Sequence, residues 1–249
     1  IHVEAGLRSF DPAMPEETNR MLTDRISDLL FVTEQSGVDN LLKEGINSNK
    51  VHFVGNVMID TLMVNREKAD ESDVLDRLGL DAKRYGVITL HRPSNVDDFA
   101  KFGEIVSAFE EMQKDLKLVF PIHPRTRNNI KGSELEKRLA KMSRLILLEP
   151  TGYLDFLKLM SDAAIVVTDS GGIQEETTIL GVACLTLREN TERPVTITEG
   201  TNRLVHVTTE DILANYNELK TSGFDTKGRI PRLWDGKAAQ RIATIIAEA

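Results

Sequence analysis

The sequence predicts an α/β protein made of parallel sheets in two successive domains, the first of them incomplete. Short β-branched runs alternate with amphipathic stretches of helical period, the pattern of parallel strands joined by crossover helices. The alternation breaks once, over 57–84, where a mixed, charged segment carries no β run. The chain also opens on Ile1-His2-Val3, which reads as the end of a buried strand, so a segment ahead of Ile1 is expected.

In order, the strand candidates are 1–3, 28–33 and 51–54, then 85–90, 117–121, 145–148, 163–167, 183–187 and 203–207. The first helical stretch, 15–27, starts with Pro15 and the acids Glu16 and Glu17, which suit the N-terminus and its dipole. Helical periodicity continues at 35–44, 98–114, 134–142, 153–161, 171–181 and 209–220, and the Ala- and Ile-rich 236–248 closes the chain. The apolar stripes of 98–114 and 236–248 are most simply core faces. The domains expected are 1–66, the later part of one α/β unit; 67–231, a complete second unit; and 232–249, a terminal helix crossing back to the first.

The net charge is −8, from 31 basic and 39 acidic side chains, which argues against a nucleic-acid binder but leaves room for a small anion held locally. With 41% hydrophobic and 28% charged residues and no low-complexity stretch, the composition is that of an ordinary globular protein. Cys184 is the one cysteine and lies in an apolar run, so it reads as a core residue, and no internal disulfide is available, as suits a reducing cytoplasm. No apolar run spans a bilayer, so no membrane association is expected. There is no metal-spaced Cys/His cluster, no GxGxxG after a strand, no Walker A loop and no GxSxG.

Five segments fall at predicted strand ends or helix starts, where open α/β sheets bind ligands. His2-Val3-Glu4-Ala5-Gly6-Leu7-Arg8 places a carboxylate with an arginine four residues on; locally, a salt bridge at a strand–loop junction explains it as well. Met14-Pro15-Glu16-Glu17 is an ordinary helix start unless Glu16 shares a cleft with Glu4, where two carboxylates would divide acid and base roles. His91, Arg92 and Asn95 follow one strand, and His123 and Arg125 follow the next, a pairing suited to a pyrophosphate. Thr168-Asp169-Ser170-Gly171-Gly172 ends a buried strand and opens a helix: paired glycines let backbone amides approach a phosphate, Ser170 adds a hydroxyl, and Glu175 and Glu176 lie one turn in, within reach of ribose hydroxyls. Arg193, in Thr191-Glu192-Arg193-Pro194, is a candidate phosphate or sugar contact, on a charged loop of the kind that is mostly solvated.

Taken in order, these segments, with Val54-Gly55-Asn56 and Asp60, resemble the non-hydrolysing UDP-N-acetylglucosamine 2-epimerase family over the whole chain. The resemblance implies a GT-B-like fold: two Rossmann-like parallel-sheet domains with the site in the cleft between them. It implies reversible conversion of UDP-GlcNAc to UDP-ManNAc without metal or nicotinamide, through loss of the C2 proton, anti elimination of UDP and readdition. Glu4, Glu16 and His91 take catalytic positions. Arg8, Arg92, Asn95, His123, Phe156, Ser170, Gly171, Gly172, Glu175, Glu176 and Arg193 take substrate-binding ones, with Phe156 near the uracil. A UDP-sugar partner, a homodimer, a cytoplasmic site and surface-polysaccharide synthesis follow from the same resemblance. About 90 residues of the family's N-terminal portion are expected to be missing at roughly 30 residues per βαβ unit, and the chain as it stands is expected to be inactive. The run His91-Arg92-Pro93-Ser94-Asn95 departs from the family's common His-Arg-Arg-Glu-Asn, which leaves the sugar open. The alternatives are a related UDP-sugar such as a diacetamido-uronate, a hydrolysing epimerase, a GT-B glycosyltransferase and a UDP-binding module without activity.

Overall fold

The structure, a computed structural model, describes residues 1–12 and 14–248. Strands β1 (His2–Ala5), β2 (Leu30–Val32) and β3 (Val51–Phe53) form a parallel sheet in that order. Strands β4 (Tyr85–Thr89), β5 (Lys117–Pro121), β6 (Leu145–Leu148), β7 (Ile165–Thr168), β8 (Ala183–Leu187) and β9 (Asn202–Val205) form a second parallel sheet, ordered β6-β5-β4-β7-β8-β9. Strand order in the second sheet runs outward both ways from the β4/β7 pair. A crevice therefore opens beyond the carboxyl ends of these two strands, between the crossovers that leave toward opposite edges.

Period-two alternation sorts the second sheet's side chains onto two faces. Ile88, Leu118, Phe120, Ile165 and Leu185 pack with Phe102, Ile105 and Phe109 of helix Phe99–Met112. Tyr85, Val87, Val119 and Val166 pack with Leu157 and Met160 of helix Tyr153–Ser161 and with Ile59 and Leu62. The last two belong to helix Val57–Asp70, inside the stretch where the sequence showed only mixed charge; a short helix, Val74–Leu78, follows it.

The first sheet has a smaller core of Ala5, Leu30, Val32 and Leu41. Its β1 is an edge strand, and Ile1, Leu22 and Ile26 beside it are exposed. Asn56 and Trp234 tie the two sheets together, and Asp60 anchors the terminal helix. Asn56 caps helix Val57–Asp70 through Oδ1, accepting from the Met58 amide, while its Nδ2 donates to Glu175 Oε1 at 2.8 Å. Trp234, buried in the second core, donates from Nε1 to the Thr33 carbonyl after β2 at 2.9 Å. Asp60 accepts from the amides of Ala238 and Ala239, seating the terminal helix Ala238–Glu248. Gly55, at φ +88°, passes so close to Leu233 that an added Cβ would stand 2.1 Å from its carbonyl oxygen; only glycine fits there. Among the described residues, no helix is long and apolar enough to cross a membrane.

Candidate active site

The crevice is organised by Asp169, which follows β7 and is fully buried. Its carboxylate accepts from the backbone amides of His91 and Arg92, from Asn95 Nδ2 at 3.2 Å, and from His91 Nδ1 at 2.9 Å. Burial works to raise its pKa, but the hydrogen bonds from His91 and Arg92 outweigh it and hold the carboxyl below its ordinary value. A carboxylate accepts at Nδ1, so the Nδ1–H tautomer is set and Nε2 is left for a ligand. Asn95 is itself buried, also donates to the Leu187 carbonyl, and so fixes the turn after β4 to the end of β8.

On one side of this hub lies a cleft of about 380 Å³ lined by Thr89, His91, Pro121, His123, Tyr153 and Phe156. His123 caps helix Pro124–Ile130 through Nδ1, which accepts from the Arg125 amide. Glu176, nearly buried, accepts from the Tyr153 hydroxyl at 3.2 Å, and burial raises its pKa. Helix Gly171–Leu180 follows β7, the strand paired with the one that leads to His91. Ser170 makes no side-chain cap, and first-turn amides have no partner within a helix. Gly172 faces open space, whereas a Cβ on Gly171 would stand 2.7 Å from Arg193 Nη1.

Arg193 is the second centre. Its guanidinium lies against Glu192, its Nε is 2.9 Å from Glu175 Oε1, and its Nη2 is 3.9 Å from Glu4 Oε2. Glu4 therefore reaches from the first sheet to the start of helix Gly171–Leu180. It does so from within β1, not beyond it: the register shifts between Val3 and Ala5, and Glu4 has φ +65°, a conformation costing about 1–2 kcal/mol outside glycine. Glu192, shared between Arg193 and Arg188, is held at about 2: burial works upward, and the two guanidiniums outweigh it. Glu175 does not line the cleft. It is completely buried between Asn56 and Arg193 with Oε2 unpartnered, and burial, reinforced by Glu4 and opposed by Arg193, raises it to about 7.

Glu16 is exposed on the first turn of helix Pro15–Ile26, close enough to Arg92 for their charges to interact. Its neighbour Glu17 is buried and structural, accepting from the Ser9 and Phe10 amides and from Arg20. Arg8 is not brought to the crevice; buried, it pairs with Asp24 at 2.7 Å and Glu44 at 2.8 Å.

The sequence pattern of the UDP-N-acetylglucosamine 2-epimerase family matches residues 1–247. The chain belongs to the UDP-N-acetylglucosamine 2-epimerase family. A family member from Methanococcus maripaludis, named UDP-N-acetylglucosamine 2-epimerase, is 43% identical over 85% of this chain. The chain spans 59% of that relative's length. A Pseudomonas aeruginosa member, a UDP-2,3-diacetamido-2,3-dideoxy-D-glucuronate 2-epimerase, is 36% identical over 99% of the chain and 67% of its own length. The crystal structure of Methanocaldococcus jannaschii UDP-GlcNAc 2-epimerase in complex with UDP-GlcNAc and UDP superposes with a TM-score of 0.87 at 40% identity, covering all of this chain and 68% of that one. The two Rossmann-like bodies are thus the GT-B-like arrangement of UDP-GlcNAc 2-epimerases.

Sequence reading passed over Asp169, Asn56 and Tyr153 as site residues. Asp169 had a legible signal, since it ends a buried strand immediately before Ser170-Gly171-Gly172. Asn56 was legible only within the family-like run Val54-Gly55-Asn56, and Tyr153 had no signal, because it acts through Glu176 on another helix.

Proposed function

We propose that the chain carries the uridine-diphosphate site and two acid/base carboxylates of an epimerase that interconverts UDP-GlcNAc and UDP-ManNAc. The observation that carries the reading is the approach of Glu4, from the first sheet, to Arg193 and the glycine turn of the second. Uracil sits against Phe156, and Glu176 takes the ribose hydroxyls. The diphosphate meets the Gly171 and Gly172 amides and His91 Nε2, with the positive end of the helix behind them. One of Glu4 and Glu16 removes the C2 proton as the C1–O bond breaks and UDP departs with the electron pair, leaving 2-acetamidoglucal. A proton then returns to C2 on the opposite face and UDP adds back at C1. Asp169 fixes the His91 ring through Nδ1 and so aims Nε2 at the departing phosphate, to which Nε2 donates when the ring carries both protons.

A homodimeric state, a cytoplasmic site and a role in surface polysaccharides rest on the family likeness. The proposal is that the chain binds UDP but does not epimerise without an N-terminal extension. The test is incubation with UDP-GlcNAc in deuterium oxide, following C2 deuteration and UDP-ManNAc by NMR, for this chain and for one extended at its N-terminus. Exchange at C2 in the extended chain is expected; a glycosyltransferase gives none. Absence of exchange there, with UDP bound, defeats the epimerase reading, and equal turnover by both chains defeats the inactivity.

A further inference from the structure

The turn after β4 sends its two basic side chains to different places: His91 lines the cleft with Phe156, whereas Arg92 lines a separate pocket of about 270 Å³ beyond Asp169. That pocket gathers Arg92, Lys101 and Arg188 with Ser94 and Asn190. Arg188 is 6% exposed; its Nη2 pairs with Glu192 at 2.8 Å, and its Nη1 is buried with no hydrogen-bond partner. A guanidinium buried with an unmade hydrogen bond is costly, so the group is in place for a ligand. Asp11 and Glu189 are the acids on the lining, Glu189 lying 2.8 Å from His206 Nδ1, and Glu192 serves both Arg188 and Arg193. Arg92 and Arg188 lie near enough to repel, and burial together with that repulsion lowers Arg92 below its ordinary value.

We propose that this pocket is an oxyanion subsite, taking a carboxylate or a phosphate group, distinct from the diphosphate position at Gly171. Guanidinium and ammonium donors with a hydroxyl and an amide are the set that binds such groups. The oxyanion has two sources. It is either a carboxylate at C6 of the sugar, which rests on the nucleotide-sugar reading, or a free inorganic anion, which does not. Asp11 and Met14 line the same pocket from the first sheet's side, close in sequence to Glu16, so a sugar held between the two sheets has a route into it.

Calorimetric titration of the chain separates these. The ligands are UDP, UDP-GlcNAc and its uronate, in which a C6 carboxylate replaces the hydroxymethyl group, and then inorganic phosphate added to UDP-saturated protein. Ser94→Glu and Lys101→Glu, both at exposed positions, put a carboxylate into the pocket and leave the uracil cleft untouched. The expected result is uronate binding about tenfold tighter than UDP-GlcNAc, the advantage lost in both variants and UDP affinity unchanged. Phosphate binding that both variants abolish, without a uronate advantage, assigns the subsite to a free anion. Equal binding of the two nucleotide sugars with no phosphate binding overturns the subsite, as does anion binding indifferent to both variants. If UDP itself fails to bind, the nucleotide reading falls, and phosphate titrated into the chain and the variants without UDP still decides the subsite.

Discussion

At the residue scale, the site is a problem in buried charge. Arg193 holds three carboxylates around one guanidinium, and the hydrogen bonds available do not satisfy them equally. Glu192 stays ionised down to about 2, whereas Glu175, with one oxygen unpartnered, is raised to about 7. The two have opposite consequences for stability. Glu192 contributes above its unfolded value of 4.5, and that contribution drains as the pH falls toward about 2. Glu175 binds its proton more tightly folded than unfolded, so its contribution is complete below 4.5 and is lost as the pH rises through about 7. Glu175→Gln keeps an acceptor for Asn56 and removes the titration. The stability of the variant relative to the parent is therefore expected to increase with pH between 4.5 and about 7, with a slope of at most about 1.4 kcal/mol per pH unit, and to level off above. Urea midpoints at several pH values from 4.5 to 8 measure this, and a difference independent of pH rejects it. Glu34, also raised to about 7 by burial, keeps part of the parent's slope in the variant.

At the scale of elements, helix Gly171–Leu180 separates two glycines that the sequence presents as a pair. A methyl at Gly171 meets Arg193 and Glu192, while one at Gly172 meets nothing. Gly171→Ala is expected to displace Arg193 from Glu4 and Glu175 and to lower the unfolding midpoint. Gly172→Ala is expected to leave the stability within about 0.5 kcal/mol of the parent, as a surface change does, and to weaken UDP binding by crowding the phosphate. Thermal unfolding with and without UDP tells them apart, and loss of stability in Gly172→Ala would sink the assignment of that open space to ligand. The nine strands of the described residues were all legible: β2, β4, β5, β7 and β8 as apolar runs largely buried on both faces, and β1, β3, β6 and β9, which are partly exposed, as short apolar runs bounded by polar turns. Helix Val57–Asp70 was not: Ile59, Leu62 and Ala69 face the core, but Met58, Met63 and Val64 are exposed, so apolar residues surround the helix and blur its period. Glu175 was misplaced for a related reason. Adjacent acids on a helix point about 100° apart, and the spacing alone cannot say which one faces the cleft and which one the neighbouring sheet.

For the whole molecule, the question is whether two sheets with cores of unequal size unfold as one. The first sheet packs only a few apolar side chains and leaves β1 open along its edge. Its stability is therefore borrowed across the junction, where Asn56 meets Glu175, Gly55 passes under Leu233, and Trp234 spans the gap from the second core to Thr33. Trp234→Phe retains most of the buried ring and removes the donor to the Thr33 carbonyl, so a loss of about 1 kcal/mol is expected. Trp234→Ala also empties the space under the junction and is expected to cost about 3–5 kcal/mol. More telling than either number is the shape of the transition. In the parent, urea unfolding followed by circular dichroism is expected to show one cooperative step. Removing the indole uncouples the bodies, so Trp234→Ala is expected to unfold in two steps, with the β1–β3 body melting first and amide exchange of Leu30, Phe31 and Val32 accelerating ahead of Val87 and Val166. A single step with exchange rates that rise in parallel would mean that the sheets are held together mainly through helix Val57–Asp70, and that Trp234 stabilises only the core in which its ring is buried.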